Sequence, residues 1–195
     1  MTRTFGITWD YRCPFAYNVH AAIVAALQAG EPLDVTFIPF SLDQGPLEPG
    51  ETPIWDRPPE ARGSGMTALC FGVAVRDHFP EVFPEFHVAV FAARHDEARA
   101  IAEPAVLREV AGAVGLDADA VADIAADPAT LARLAAEHTA AVADHDVWGV
   151  PTFITATSAT YVRLMERGRV DDLLRILDLL DLESINEFKR TRVPR

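Results

Sequence analysis

Residues 9–16 read Trp9-Asp10-Tyr11-Arg12-Cys13-Pro14-Phe15-Ala16, and the hydrophobic period changes across them. Upstream, Phe5, Ile7 and Trp9 alternate with smaller residues over 4–9, the period of a strand. Downstream, Phe15, Val19, Ile23 and Leu27 recur every four residues with alanines between them, which predicts a helix. Pro14 suits its first turn, where a missing N–H costs nothing, and Gly30 lies just past its end. Cys13 therefore stands at a strand-to-helix junction. The unpaired N–H groups and dipole of a helix start favour negative charge, and a thiolate is such a charge. Arg12 beside it is expected to add positive potential. The same position also suits a small buried apolar side chain, so the junction alone leaves both readings open.

Working outward, residues 33–40 (Leu-Asp-Val-Thr-Phe-Ile-Pro-Phe) form a second expected strand, with Pro39 marking an edge or an ending. Residues 43–65 are rich in Gly, Pro and Glu and predict a long loop. The spacing is then helical. Met66, Leu69, Cys70 and Val73 share one face; Val82, Phe83, Phe86, Val90 and Phe91 share another after Pro80. Pro104 opens a helix stopped by Gly115, Asp117 caps a short one, and Asp127-Pro128 opens another. Residues 151–155 and 160–165 read as paired strands, and Val170, Leu173, Leu174, Leu177 and Leu180 line a last helix. The order is β-α-β, a helical block, then β-β-α. Neither β piece is a viable domain alone, so the two are expected to rejoin in one sheet.

The 195 residues are 50% hydrophobic and 24% charged, which suits one globular domain or a domain with an insertion. The formal charge of −12 argues against nucleic acid and anionic membranes as partners. The basic end, Lys189 to Arg195, reads as a solvated tail. The first residues show no apolar secretory core, and no apolar run is long enough for a bilayer, so a cytoplasmic location is expected. Two cysteines in a reducing compartment do not predict a structural disulfide. His20, two turns beyond Cys13, reads as a surface or domain-facing residue rather than a base for the thiol. His78, His87, His95, His138 and His145 lack metal-ligand spacing, so no metal is expected. Asp144-His145-Asp146 reads as a solvated helix end.

A second motif lies far along the chain. Trp148-Gly149-Val150-Pro151-Thr152-Phe153 resembles the Gly-Val-Pro-Thr loop of thioredoxin-fold proteins. With Cys13-Pro14 and the element order, the chain resembles the DsbA-like branch of that superfamily over nearly its whole length. The resemblance extends to cytosolic FrnE-like oxidoreductases, kappa-class glutathione transferases, 2-hydroxychromene-2-carboxylate isomerases and mycothiol-dependent reductases. An Ala- and Arg-rich, Lys-poor composition fits a high-GC actinobacterium.

The resemblance implies an α/β thioredoxin fold with an all-helical insertion domain between the second strand and the cis-proline strand. Residues 1–45 and 147–182 would form the thioredoxin-like domain, 46–146 the insertion and 183–195 a tail. It implies that Cys13 is the nucleophile, within the motif Arg12, Pro14, Phe15 and Ala16. Val150 and Pro151 would face it and pair with an extended substrate, and Trp148, Phe15 and Tyr11 would add an apolar rim, though a core role suits each of the three as well. The family's usual motif is Cys-x-x-Cys, and here Ala16 holds the second position. Cys13 would then form a mixed disulfide that an external thiol, glutathione or mycothiol, must resolve. Cys70, on an apolar helix face, reads as core. The expected function is a monothiol oxidoreductase acting on a small-molecule or protein thiol, with a thiol-cofactor-dependent transferase or isomerase and a non-catalytic binding module as the alternatives. The oligomeric state is open between monomer and homodimer.

Overall fold

The structure, a computed structural model, describes residues 2–45, 47–48, 50–180, 182 and 184. The expected tail, 183–195, lies outside the described residues apart from 184. Strand β1 (Arg3–Trp9) leads into helix α1 (Pro14–Gln28) and strand β2 (Leu33–Pro39). Five helices follow: α2 (Met66–His78), α3 (Phe83–His95), α4 (Pro104–Ala113), α5 (Ala118–Ala126) and α6 (Pro128–His145). The chain closes with β3 (Thr152–Ile154), β4 (Ala159–Tyr161) and α7 (Val170–Leu180). The long loop is less irregular than its composition suggests, since 3-10 turns form at Ile54–Asp56 and Pro59–Ala61.

The sheet has the order β2-β1-β3-β4. β1 runs parallel to β2 and antiparallel to β3, with Ile7 opposite Phe153. This pairing joins the two ends of the chain and brings the exit of β1 beside the entry of β3. Gly6 gives the Ile38 side chain room where the strands approach, since a Cβ there would lie 2.9 Å from Ile38 Cδ1 and that side chain would have to shift. Pro39 ends the edge strand β2, where its missing N–H breaks no ladder bond. The hairpin partner is shorter than the expected 160–165. β4 stops at Tyr161, although Val162 still donates to the Pro151 carbonyl at 3.3 Å.

The apolar core is continuous from the sheet into the helical insertion. Phe5, Ile7 and Trp9 of β1 belong to one buried cluster with Val19 and Ile23 of α1 and with Phe83, Phe86 and Phe91 of α3, and the Trp9 and Phe83 rings lie 6.0 Å apart. Burial of this surface, worth about 25 cal/mol per Å2, holds the insertion against the sheet. The site below therefore rests on a single packed body. A cleft of about 580 Å3 opens elsewhere, between β2, α3 and α6, and Cys13 is not among its lining residues.

Candidate active site

Cys13 is the N-cap of α1, with an extended backbone (φ −90°, ψ 115°). Its amide donates to the Asp10 carbonyl at 3.0 Å, which closes the turn after β1. Its Sγ accepts from the Ala16 amide at 3.4 Å, so the sulfur takes one of the orphan donors of the helix start. On its other side the thiol donates to the Val150 carbonyl at 3.4 Å. The Val150–Pro151 peptide bond is cis. Two motifs 137 residues apart thus meet at one sulfur.

Thr8 holds the loop that carries Val150. Its hydroxyl accepts from the Thr152 amide at 2.9 Å and donates to the Gly149 carbonyl at 3.4 Å. Thr152 donates to the same carbonyl at 2.8 Å. Both threonines are buried. The Val150 amide finds no acceptor among the described residues. An extended ligand could take that donor.

The thiol is 8% exposed. Burial pushes its pKa above the ordinary cysteine value, while the Ala16 and Phe15 amides pull it down; Asp10 adds to the upward push and Arg163 opposes it. The helix-start effect expected from sequence is present, but desolvation outweighs it. Arg12 does not serve the sulfur as expected. Its guanidinium donates to Asp10 at 3.1 and 3.3 Å and to Asp43 at 2.6 Å. Asp10 is fully buried and also accepts from the Arg12 and Leu42 amides, both at 2.8 Å. Arg12 and Asp10 together brace the loop on which Cys13 sits.

An exposed rim surrounds the sulfur. Trp148 is 73% exposed and packs on Tyr161, with ring centroids 4.5 Å apart. Half-buried Phe15 lies under the Arg163 guanidinium, 4.9 Å from its ring centroid. Pro14 is exposed between Cys13 and Phe15. Ala16 is wholly buried and supplies an amide but no second thiol. Tyr11 is not part of this rim, which corrects the expectation. It is fully buried and points into the insertion, where a Cβ on Gly72 would come within 2.6 Å of its hydroxyl.

Tyr11 belongs to a second polar cluster. Its hydroxyl lies 2.8 Å from His87 Nδ1, His87 Nε2 lies 2.9 Å from His20 Nδ1, and His20 Nε2 lies 3.1 Å from the Thr8 carbonyl. A carbonyl can only accept, so His20 Nε2 donates and the direction of every bond follows: Tyr11 to His87 to His20 to Thr8. Both imidazoles are neutral. Burial lowers the His20 pKa to about 4 and takes His87 well below its ordinary value. His20 therefore faces the insertion rather than solvent.

Cys70 is a free thiol among Met66, Leu69 and Val73, and burial pushes its pKa up to about 11. Among the described residues no cluster of His, Cys, Asp or Glu is arranged to hold a metal. Thr8, Asp10, Tyr161 and Arg163 escape a reading of sequence alone. The one local signal is a hydroxyl and a carboxylate at the end of an otherwise apolar strand.

The chain matches the model of the DSBA-like thioredoxin domain over residues 7–178, and it belongs to that family. A search of curated proteins finds no match. Among solved structures it is similar to the cytosolic disulfide reductase DsbM from Pseudomonas aeruginosa with GSH. The TM-score is 0.65 at 18% identity, covering 91% of this chain and 98% of that one. It is also similar to Pseudomonas aeruginosa DsbA, with a TM-score of 0.61 at 19% identity, covering 90% and 80%. Xylella fastidiosa DsbA gives a TM-score of 0.60 at 18% identity, covering 91% and 83%. At these identities the likeness is one of fold. Among the described residues no helix is long and apolar enough to cross a membrane.

Proposed function

We propose that this chain is a cytoplasmic thiol-disulfide oxidoreductase that works with one thiol, Cys13. The observation that carries the reading is the meeting of the N-cap sulfur with the Val150 carbonyl at 3.4 Å, in a chain of the DSBA-like thioredoxin family. Cys13 loses its proton to solvent and attacks one sulfur of a mixed disulfide R–S–S–G, where G–S is a low-molecular-weight thiol. The Cys13–S–S–G bond forms, and R–S⁻ leaves and takes a proton from solvent. A second G–S⁻ attacks the G sulfur, releasing G–S–S–G and returning Cys13 as thiolate. Glutathione or mycothiol would fill the role of G–SH, and the GSH-bound DsbM neighbour supports the first.

The chemistry of the site suits this order. A thiol whose pKa is raised by burial is a strong nucleophile once ionised, which suits the first step, and a poor leaving group, which makes its release the slower step. With Ala16 in the place of a resolving thiol, the adduct on Cys13 persists until an outside thiol arrives. The free Val150 amide would hold the substrate backbone beside the sulfur.

The test is intact-mass analysis after incubation with oxidised glutathione or oxidised mycothiol. One adduct is expected on the wild type and none on Cys13→Ser, with the adduct removed by the matching reduced thiol. Absence of any adduct on a folded wild-type protein, or an adduct that survives in Cys13→Ser, overturns the reading.

A further inference from the structure

Arg163 follows the β3–β4 hairpin. Its neighbour Val162 donates to the Pro151 carbonyl at 3.3 Å, and the Leu164 carbonyl accepts from Asn18 of α1 at 2.9 Å. The segment 162–164 is thus tied on one side to the loop that carries Val150 and on the other to α1. Its guanidinium lies over Phe15, two residues past Cys13. Arg163 is exposed and makes no ion pair or hydrogen bond with any described residue. Among the described arginines, Arg3, Arg12, Arg76, Arg99, Arg108, Arg133, Arg167, Arg169 and Arg175 pair with carboxylates, Arg57 and Arg62 donate to backbone carbonyls, and only Arg94, in the last turn of α3, also lacks a partner. The protein carries a net charge of −12, so an uncommitted cation beside the sulfur is a local reversal of sign.

We infer that Arg163 is the specificity-determining residue of the thiol site, anchoring a carboxylate of the substrate, so that carboxylate-bearing thiols and disulfides react in preference to uncharged or cationic ones. The inference rests on the proposed reaction at Cys13 and adds its substrate class. A guanidinium binds a carboxylate through two parallel N–H···O bonds, and this one is free to do so. The Phe15 ring beneath it restricts where the group can swing. The Trp148–Tyr161 pair across the rim offers an apolar wall for the rest of a small ligand. The contact holds the transferred thiol while Cys13 attacks its sulfur.

The test measures mixed-disulfide formation on Cys13 with three small disulfides that differ in charge: 3,3′-dithiodipropionate, bis(2-hydroxyethyl) disulfide and cystamine. Each rate is divided by that of 2-mercaptoethanol with the same disulfide at the same pH, and followed over pH to separate the thiolate fraction from binding. The wild type is expected to prefer the anionic reagent over the neutral one by about tenfold. Arg163→Gln should abolish the preference, bringing the normalised rates with the anionic and the neutral reagent to the same value. Arg163→Glu should favour cystamine, and Arg163→Lys should keep part of the anionic preference. Equal normalised rates for all three reagents, or an anionic preference retained in Arg163→Gln, overturn this inference alone. No adduct with any of the three overturns the reaction at Cys13 as well.

Discussion

Two polar clusters meet at Thr8, and they differ in whether they are finished. On one side the Thr8 hydroxyl secures the loop that brings Val150 to Cys13. On the other its carbonyl ends the chain of bonds from Tyr11 through His87 and His20. The histidine cluster is closed: each ring nitrogen has a partner and none reaches solvent. The thiol cluster is open: among the described residues the Val150 amide has no acceptor and the Arg163 guanidinium no carboxylate, and the Trp148 indole is exposed. A closed buried network ties elements together. An open one at a rim can take a ligand. Titratable side chains alone would have pointed to the histidines, so satisfaction of donors and acceptors is the better guide here.

Breaking the closed cluster should cost stability and spare chemistry. In His87→Leu the buried Tyr11 hydroxyl and His20 Nδ1 lose their partners, which costs about 3 kcal/mol or more. The urea midpoint should fall accordingly, while alkylation of Cys13 in the folded protein keeps its rate. A loss below about 1 kcal/mol would show that the chain of bonds does not tie the insertion to the sheet.

Acid acts on the same cluster through His20. Its pKa falls from 6.5 unfolded to about 4 folded, so as pH drops the unfolded chain takes up a proton first. The stabilisation is complete above about pH 6.5 and is lost progressively down to about pH 4, amounting to roughly 3 kcal/mol from this residue. Urea melts between pH 7 and pH 4 should show the loss, and a His20→Asn variant should show less of it. An unchanged slope in that variant would remove His20 as the source.

Breaking the open cluster should do the reverse. Cys13→Ala should change stability by no more than about 1 kcal/mol, since only two weak sulfur bonds disappear, while adduct formation is lost entirely. In the wild type, alkylation of Cys13 by a neutral reagent should rise about tenfold per pH unit between pH 6 and 8, because burial keeps the thiol protonated there. A rate flat across that range would mean that the helix-start amides outweigh burial after all.

Much of this was legible one residue at a time. The period change at Cys13, Pro14 in the first turn of α1, the helical block and the closing β-β-α all follow from local pattern. The two halves of the thiol site, Cys13-Pro14 and Val150-Pro151, were each visible. The histidine pair was not, because His20 and His87 are 67 residues apart and each alone looks like a stray polar residue. Tyr11 was misplaced for a related reason: a tyrosine beside an active-site motif suits rim and core equally, and only the gap left by Gly72 decides for the core. Arg12 was credited to the thiol because sequence adjacency is not spatial availability. Two carboxylates had already claimed it.

One thiol at the head of the first helix, the lack of a second at residue 16 and the return of a proline strand to the same sheet can all be read from the amino-acid order. Those are properties of local periodicity, turn chemistry and residue identity. Which groups face that thiol, and at what cost, follows from the packing of distant segments. The thiolate's stability depends on the balance between burial and two amide donors. The charge beside it depends on Arg163 lying over Phe15 with no carboxylate partner among the described residues, while Arg12 is held by Asp10 and Asp43. Both are set by distances across the sheet and the insertion that no single segment contains.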